Sequence, residues 1–237
     1  MKKVLLLALC VMFAGLANAA IVVEHQGAND PLTEGWTGHR LTDGVGIEVG
    51  PIIDDGGYDA WKINDIPDSE GGYLGDISSA DLTAGWKLSA EIRLPADNQD
   101  RNGTVVFGAN MRNYANNGNH RLWLEIGQYD GVPEVAYFGT GSVRLDGFDN
   151  GYHLYEIIFD AATSTADLFV DGIEITALAD YAGKDEGYGE GYVFFGSDAG
   201  GNTGQAYYSS VVFETVPEPM TMALLGMGGL FLRRRRS

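Results

Sequence analysis

Trp86-Lys87-Leu88-Ser89-Ala90-Glu91-Ile92-Arg93-Leu94 alternates apolar and polar side chains without a break. Successive side chains of a strand point to opposite faces, so this stretch reads as a β-strand with one buried and one solvated face. The same period recurs to either side. Val105, Phe107, Ala109 and Met111 form one apolar set, and Leu122, Leu124 and Ile126 form another, against Arg121, Trp123 and Glu125. His153, Tyr155, Ile157 and Phe159 follow, then Ala166, Leu168 and Val170, and two last strands over Tyr192–Phe195 and Tyr207–Phe213. No stretch sustains a 3.6-residue apolar period, and the one helical candidate is Ser78–Ala84, capped by Ser78 or Ser79.

The punctuation agrees with antiparallel connection. Asp130-Gly131 and Asp171-Gly172 are two-residue hairpin signals, because both positions tolerate the positive φ of a type I′ turn. Asp97 to Gly103 and Asn116 to Asn119 read as longer polar loops. About twelve short strands, with no helices to cover a parallel sheet, lead to an all-β, antiparallel, two-sheet sandwich. No internal repeat is evident, which argues against a propeller.

Composition narrows the function classes. The 237 residues carry 15 basic and 33 acidic side chains, a formal charge of −18. So acidic a chain argues against nucleic acid as a partner, since phosphate binding needs a basic face. Cys10 is the only cysteine, so no intramolecular disulfide and no multi-cysteine metal site can form.

Both ends read as addresses. Lys2 and Lys3, the apolar run Val4–Leu16 and the triplet Ala17-Asn18-Ala19 have the order of a secretory signal helix. It covers residues 1–19, and cleavage falls between Ala19 and Ala20. At the other end Pro217-Glu218-Pro219 precedes the short apolar helix Met220–Leu232 and then Arg233, Arg234, Arg235 and Arg236. Thirteen helical residues span about 20 Å, short of the roughly 30 Å hydrocarbon core. Residues 216–237 resemble the PEP-CTERM sorting tail of Gram-negative bacteria. The resemblance implies export through the secretory translocon and transient membrane insertion of the tail. It further implies removal of the tail by exosortase and delivery to the cell surface, outer membrane or extracellular matrix. The other reading is an ordinary tail anchor. Without its ends the body, residues 20–215, keeps 15 less six basic and 33 less one acidic residues, a charge of −23. That charge either solvates the surface or serves to bind cations or mix with a hydrated polymer.

The strands Trp86–Leu94, Val105–Phe107, Arg121–Ile126, Tyr152–Asp160 and Ala166–Gly172 resemble the concanavalin A-like lectin/glucanase superfamily, in its LamG-like branch. The resemblance implies a jelly-roll sandwich, a carbohydrate ligand and, in many members, bound Ca²⁺. Acidic loops at Asp54-Asp55, Asp65–Glu70, and Asp198 with Asn202 carry oxygen ligands of the kind Ca²⁺ takes, or are simply solvated. The superfamily's glucanase run, Glu-x-Asp-x-Glu, is absent: Glu125 has Trp123 and Gly127 as its i±2 neighbours. No nucleophile elbow occurs, and His25, His39, His120 and His153 lack zinc spacing.

Arg121, Trp123 and Glu125 share one strand face and are the candidate ligand-binding residues. An aromatic ring suits the apolar face of a pyranose, and flanking charges suit its hydroxyls. Equally, Trp123 can pack beneath a loop. Trp36, Trp61 and Trp86 read as structural. The expected function is non-catalytic carbohydrate or matrix binding. The alternatives are a structural envelope or biofilm protein without a discrete ligand and a polysaccharide hydrolase with an atypical site.

Overall fold

The computed structural model describes residues 19–41, 47–65, 71–95, 105–111, 120–185, 191–197 and 204–216. The expected signal helix up to Asn18 and the tail from Pro217 onward lie outside these residues. So do the loops Asp97–Gly103 and Asn116–Asn119, the acidic run after Asp65, and Asp198 with Asn202.

The chain folds into two stacked antiparallel sheets, the sandwich that the alternation implied and the jelly roll that the resemblance implied. The first sheet runs, in spatial order, through Ile173–Glu174 (β13), Thr165–Val170 (β12), Tyr152–Asp160 (β11), Trp86–Arg93 (β6), Gly204–Thr215 (β16), Tyr58–Asp65 (β4) and Ile47–Asp55 (β3). Ala20–Gln26 (β1) lies beside the second half of β16, where Ala20 pairs with Thr215. The second sheet runs through Val143–Arg144 (β10), Val132–Tyr137 (β9), His120–Tyr129 (β8), Val105–Met111 (β7), Tyr192–Ser197 (β15), Gly71–Asp76 (β5) and Thr37–His39 (β2). Lys184–Asp185 (β14) adds to the start of β8. The strands beyond the expected dozen are chiefly β2, β10, β13 and β14, each of two or three residues and too short to show a period.

Local chemistry explains the connections. Asp130 and Gly131 adopt φ of 49° and 75°, and Asp171 and Gly172 adopt 50° and 75°, so both hairpins turn as type I′. Ser79–Thr83 (α1) is one short helix, its N-terminus capped by the Ser78 hydroxyl, which accepts from the Asp81 N–H at 3.1 Å.

β6 sits between β11 and β16, and its Trp86, Leu88, Ala90 and Ile92 all point inward and are buried. Trp86 stacks on Phe159 at 5.2 Å between ring centroids and tilts against Phe213 at 5.5 Å. At the other end of the core Trp61 donates its indole N–H to the Tyr73 hydroxyl at 2.9 Å, and Trp36 donates to the Glu24 carbonyl at 2.9 Å. All three tryptophans are therefore structural, each buried with its ring packed in the core.

His25 reaches the same core from β1. It is fully buried, lies parallel to the Phe195 ring at 5.5 Å, and its Nδ1 meets the Glu34 carboxylate at 2.6 Å. Burial lowers its pKa from the ordinary 6.5, outweighing the pull of Glu34 in the other direction. The unfolded chain thus takes up a proton that the folded chain resists. Stability is complete above the unfolded pKa and is expected to fall as pH drops below about 6.5. Urea unfolding at about pH 7.5, 6.5 and 5.5 checks this. The free energy should decline over that range in the wild type and decline less in His25→Gln; equal pH profiles would contradict the assignment.

Candidate functional site

The two sheets differ in their outer faces. The first turns charges to solvent: Lys87 lies between Glu214 at 2.8 Å and Glu156 at 3.2 Å. The second is buried on both faces along its centre, where every residue of β7 from Val105 to Met111 is buried. Glycine makes this arrangement possible. On the outer face Leu74, Phe194, Gly108 and Trp123 are cross-strand neighbours in one row. A Cβ at residue 108 would overlap the Leu122 carbonyl oxygen and come within 2.7 Å of Trp123 Cδ1, so only glycine lets the indole lie down on the sheet. Trp123 then stacks on Phe194 at 5.1 Å and 13° between planes.

A ladder continues from this pair. The Arg121 guanidinium lies 4.1 Å from the Trp123 ring and 4.8 Å from that of Phe138. Lys184 Nζ lies 4.3 Å from Phe138 on β14's side. Such contacts are worth about 0.5–2 kcal/mol each, more as water is excluded. Arg121 and Trp123 are each 5% exposed. Of the two readings open to Trp123, its geometry is that of a packed residue.

Glu125 stands differently. It is half-buried and lies one row further along β8, paired with Ala136. There it lines an open cleft of about 500 Å³, together with Tyr129, Glu134, Ala136, Thr140, Ser142 and Arg144. The Asp130-Gly131 turn fixes this grouping. A two-residue turn pairs Tyr129 with Val132, Gly127 with Glu134 and Glu125 with Ala136, which sets Glu125, Tyr129 and Glu134 on one face. Arg144 comes to Glu134 from β10. Its guanidinium is held by Asp146, Nε to Oδ1 2.9 Å, and sits 5.9 Å from the Tyr129 ring. The cleft thus combines one aromatic ring, two carboxylates on adjacent strands, a guanidinium and two hydroxyls. Tyr129, Glu134 and Arg144 were not singled out from the sequence, although the register implied by Asp130-Gly131 was signal enough for the first two.

Two of the acidic residues, Asp55 and Asp65, have other partners. Asp55 forms an ion pair with Arg93 and accepts the Tyr152 hydroxyl at 2.9 Å. β6 and β11 lie across β16 and β4 from β3, so the β3–β4 hairpin tip folds back over the outer face of the first sheet. Asp65 is buried and accepts the Ser197 hydroxyl. Among the described residues no group of three or more His, Cys, Asp or Glu side chains is placed to hold a metal. None of the four histidines lines the cleft. His153 is held between Asp171 at 2.7 Å and the Asp149 carbonyl at 3.0 Å, and His120 faces the Ala182 carbonyl at 3.1 Å.

Comparison with known proteins places the fold and not the family. The chain matches no protein-family model and no curated protein. Among solved structures it is similar to the conserved carbohydrate esterase of the Shiga toxin-encoding bacteriophage phi24B, with 14% identity and a TM-score of 0.64, over 84% of this chain and 100% of the other. It also matches domain 4 of AbnA, a GH43 extracellular arabinanase from Geobacillus stearothermophilus, at 13% identity, TM-score 0.47, 87% of this chain and 98% of the other. A third match is the cellulose induced protein Cip1, at 14% identity, TM-score 0.46, 75% of this chain and 90% of the other. At this level of identity the likeness to the first of these shows the fold alone, a β-sandwich.

The packing of Trp123 on Gly108 has a direct test. Gly108→Ala is expected to cost about 1–3 kcal/mol by overpacking, and Trp123→Ala about 3–5 kcal/mol by loss of a buried ring. Chemical denaturation of both variants checks this. A Gly108→Ala protein as stable as the wild type would show that the indole does not rest on the strand.

Proposed function

We propose that the protein is exported and binds a polysaccharide at the cell surface or in the extracellular matrix, without turning it over. The observation that supports this reading is the cleft beside β8. Tyr129 offers a ring for the apolar face of a pyranose, while Glu125, Glu134, Arg144, Thr140 and Ser142 surround it with hydrogen-bonding groups. In this reading Glu125 touches the sugar, and Arg121 and Trp123 fix the strand that carries it. Export rests on the two sequence ends. The signal before Ala20 would engage the translocon, and exosortase would remove the tail that begins with Pro217-Glu218-Pro219. The LamG-like resemblance and the coarse fold agreement with a carbohydrate esterase support a carbohydrate ligand, at the level of fold, and do not bear on turnover.

A second reading draws on the two carboxylates. Glu125 and Glu134 are diagonal neighbours across β8 and β9, which sets their Cα atoms roughly 7–8 Å apart. Inverting glycosidases hold their two carboxyl groups about 6.5–9.5 Å apart, a separation that side chains on Cα atoms this far apart can reach. A hydrolase would release reducing ends from a bound polysaccharide and lose that activity in Glu125→Gln and Glu134→Gln.

The binding reading is tested by a glycan array followed by calorimetry on the responsive glycan. Tyr129→Ala should weaken binding at least ten-fold, about 1.4 kcal/mol, with an unchanged unfolding midpoint. Binding that ignores both Tyr129→Ala and Glu125→Gln would overturn the placement of the site, and silence across the array would overturn the function.

A further inference from the structure

We infer that Tyr58 and Tyr152 form an oxidative cross-linking site, at which a one-electron oxidant joins the two rings into an intramolecular dityrosine. The bond fastens the β3–β4 tip to β11, and the oxidant is hydrogen peroxide acting through a haem peroxidase. The chemistry needs neither the cleft nor a bound sugar, so it stands apart from the carbohydrate-binding reading.

The first ground is the stack. The two rings lie 4.3 Å apart between centroids and 25° between planes. Tyr58 opens β4 and Tyr152 opens β11, and β16 and β6 lie between these strands. Only the reversal of the tip brings the rings together. Asp54, Gly56 and Gly57 take positive φ of 56°, 67° and 94°, and the Asp54 N–H donates to the Asp59 carboxylate at 3.1 Å. In a tyrosyl radical the unpaired spin occupies orbitals normal to the ring, with a large share on the Cε carbons beside the oxygen-bearing one. Two stacked rings therefore aim their reactive orbitals at each other, and coupling becomes effectively unimolecular.

The second ground is a path for the proton. The Tyr152 hydroxyl donates to Asp55 Oδ2 at 2.9 Å. A phenol gives up an electron more readily when a positioned base takes its proton in the same step. Asp55 is that base, and its ion pair with Arg93 holds it in place.

The third ground is access. Tyr58 is 40% exposed and Tyr152 half-buried, so an oxidant in solution reaches the pair. Tyr137 and Tyr181 supply the contrast. They also stack at 4.3 Å, with 9° between planes, but Tyr137 is fully buried and its hydroxyl has no hydrogen-bond partner among the described residues. Tyr181 donates to the Phe138 carbonyl at 3.0 Å, which is no base for a phenolic proton.

The step balances. Each ring loses one electron and its phenolic proton, that of Tyr152 to Asp55 and that of Tyr58 to water. The two unpaired electrons pair in a new Cε–Cε bond. Each coupled carbon then releases its hydrogen as a proton while its ring oxygen takes one up, which restores both phenols. Peroxide accepts the two electrons and two protons and leaves as two waters.

Treatment of the full chain at high dilution with hydrogen peroxide and a haem peroxidase tests the inference. The monomer should gain dityrosine fluorescence and lose the mass of two hydrogens, and fragment spectra should place the link between Tyr58 and Tyr152. Tyr58→Phe and Tyr152→Phe should each abolish it, and Tyr181→Phe should leave it unchanged. Asp55→Asn should slow its formation at least ten-fold, and Asp55→Glu should restore most of the rate. The cross-linked chain should unfold at higher urea, because a link between residues so far apart in sequence restricts the unfolded chain. A link mapped to other tyrosines, dityrosine confined to cross-linked dimers, or a monomer link that survives Tyr58→Phe would overturn the inference. So would the absence of dityrosine under conditions that couple free tyrosine. An Asp55→Asn rate equal to that of the wild type would overturn the proton path.

Discussion

The indole of Trp123 lies flat on β7 because its cross-strand neighbour is glycine. That contact makes the second sheet unlike an ordinary sandwich sheet, which buries one face and wets the other. With Gly108 beneath Trp123, and with Phe194 stacked beside it, the outer face carries its own aromatic layer. The layer then fixes what lies on either side. Arg121 and Lys184 settle against its rings, and Glu125, one row on, is left at the edge where the cleft opens. Replacing the glycine by any side chain would lift the indole and disturb cations and cleft together.

The first sheet plays a different part. Its inner residues, centred on Trp86 in β6, form the main core, while its outer face holds ion pairs such as Lys87 with Glu214 and Glu156. These pairs are half-buried at the surface, where an exposed pair would contribute only about 0–1 kcal/mol. The fold-back of the β3–β4 tip onto Arg93 and Tyr152 also takes Asp55 out of the set of open acidic groups. The open cleft lies on the second sheet, at its β8–β10 end.

The sequence was most legible where period and turn chemistry act locally. The alternation from Trp86 to Leu94 identified a strand with one buried face, and Asp130-Gly131 and Asp171-Gly172 located two hairpins to the residue. The cap of the short helix was narrowed to Ser78 or Ser79, of which Ser78 serves. The face shared by Arg121, Trp123 and Glu125 was also readable, since residues two apart on a strand share a face. Their separate fates were not. Whether Trp123 packs or projects depends on Gly108, and the register of β7 against β8 is set by tertiary pairing rather than by a tight turn. Arg144 arrives from another strand and leaves no period in the sequence. The burial of His25 was hidden for the same reason, because Glu34 and Phe195 reach it from distant parts of the chain.

The central claim is that a sugar polymer sits against Tyr129 and Glu125 on the outer edge of the second sheet. Amide chemical-shift mapping during titration with an oligosaccharide of the glycan that responds on the array tests it most directly. The account expects the largest shifts at Glu125, Tyr129, Glu134, Ala136 and Arg144, with little change along the first sheet. Shifts concentrated around Tyr58, Arg93 and Tyr152 on the opposite face, or spread evenly over the acidic surface, would contradict it.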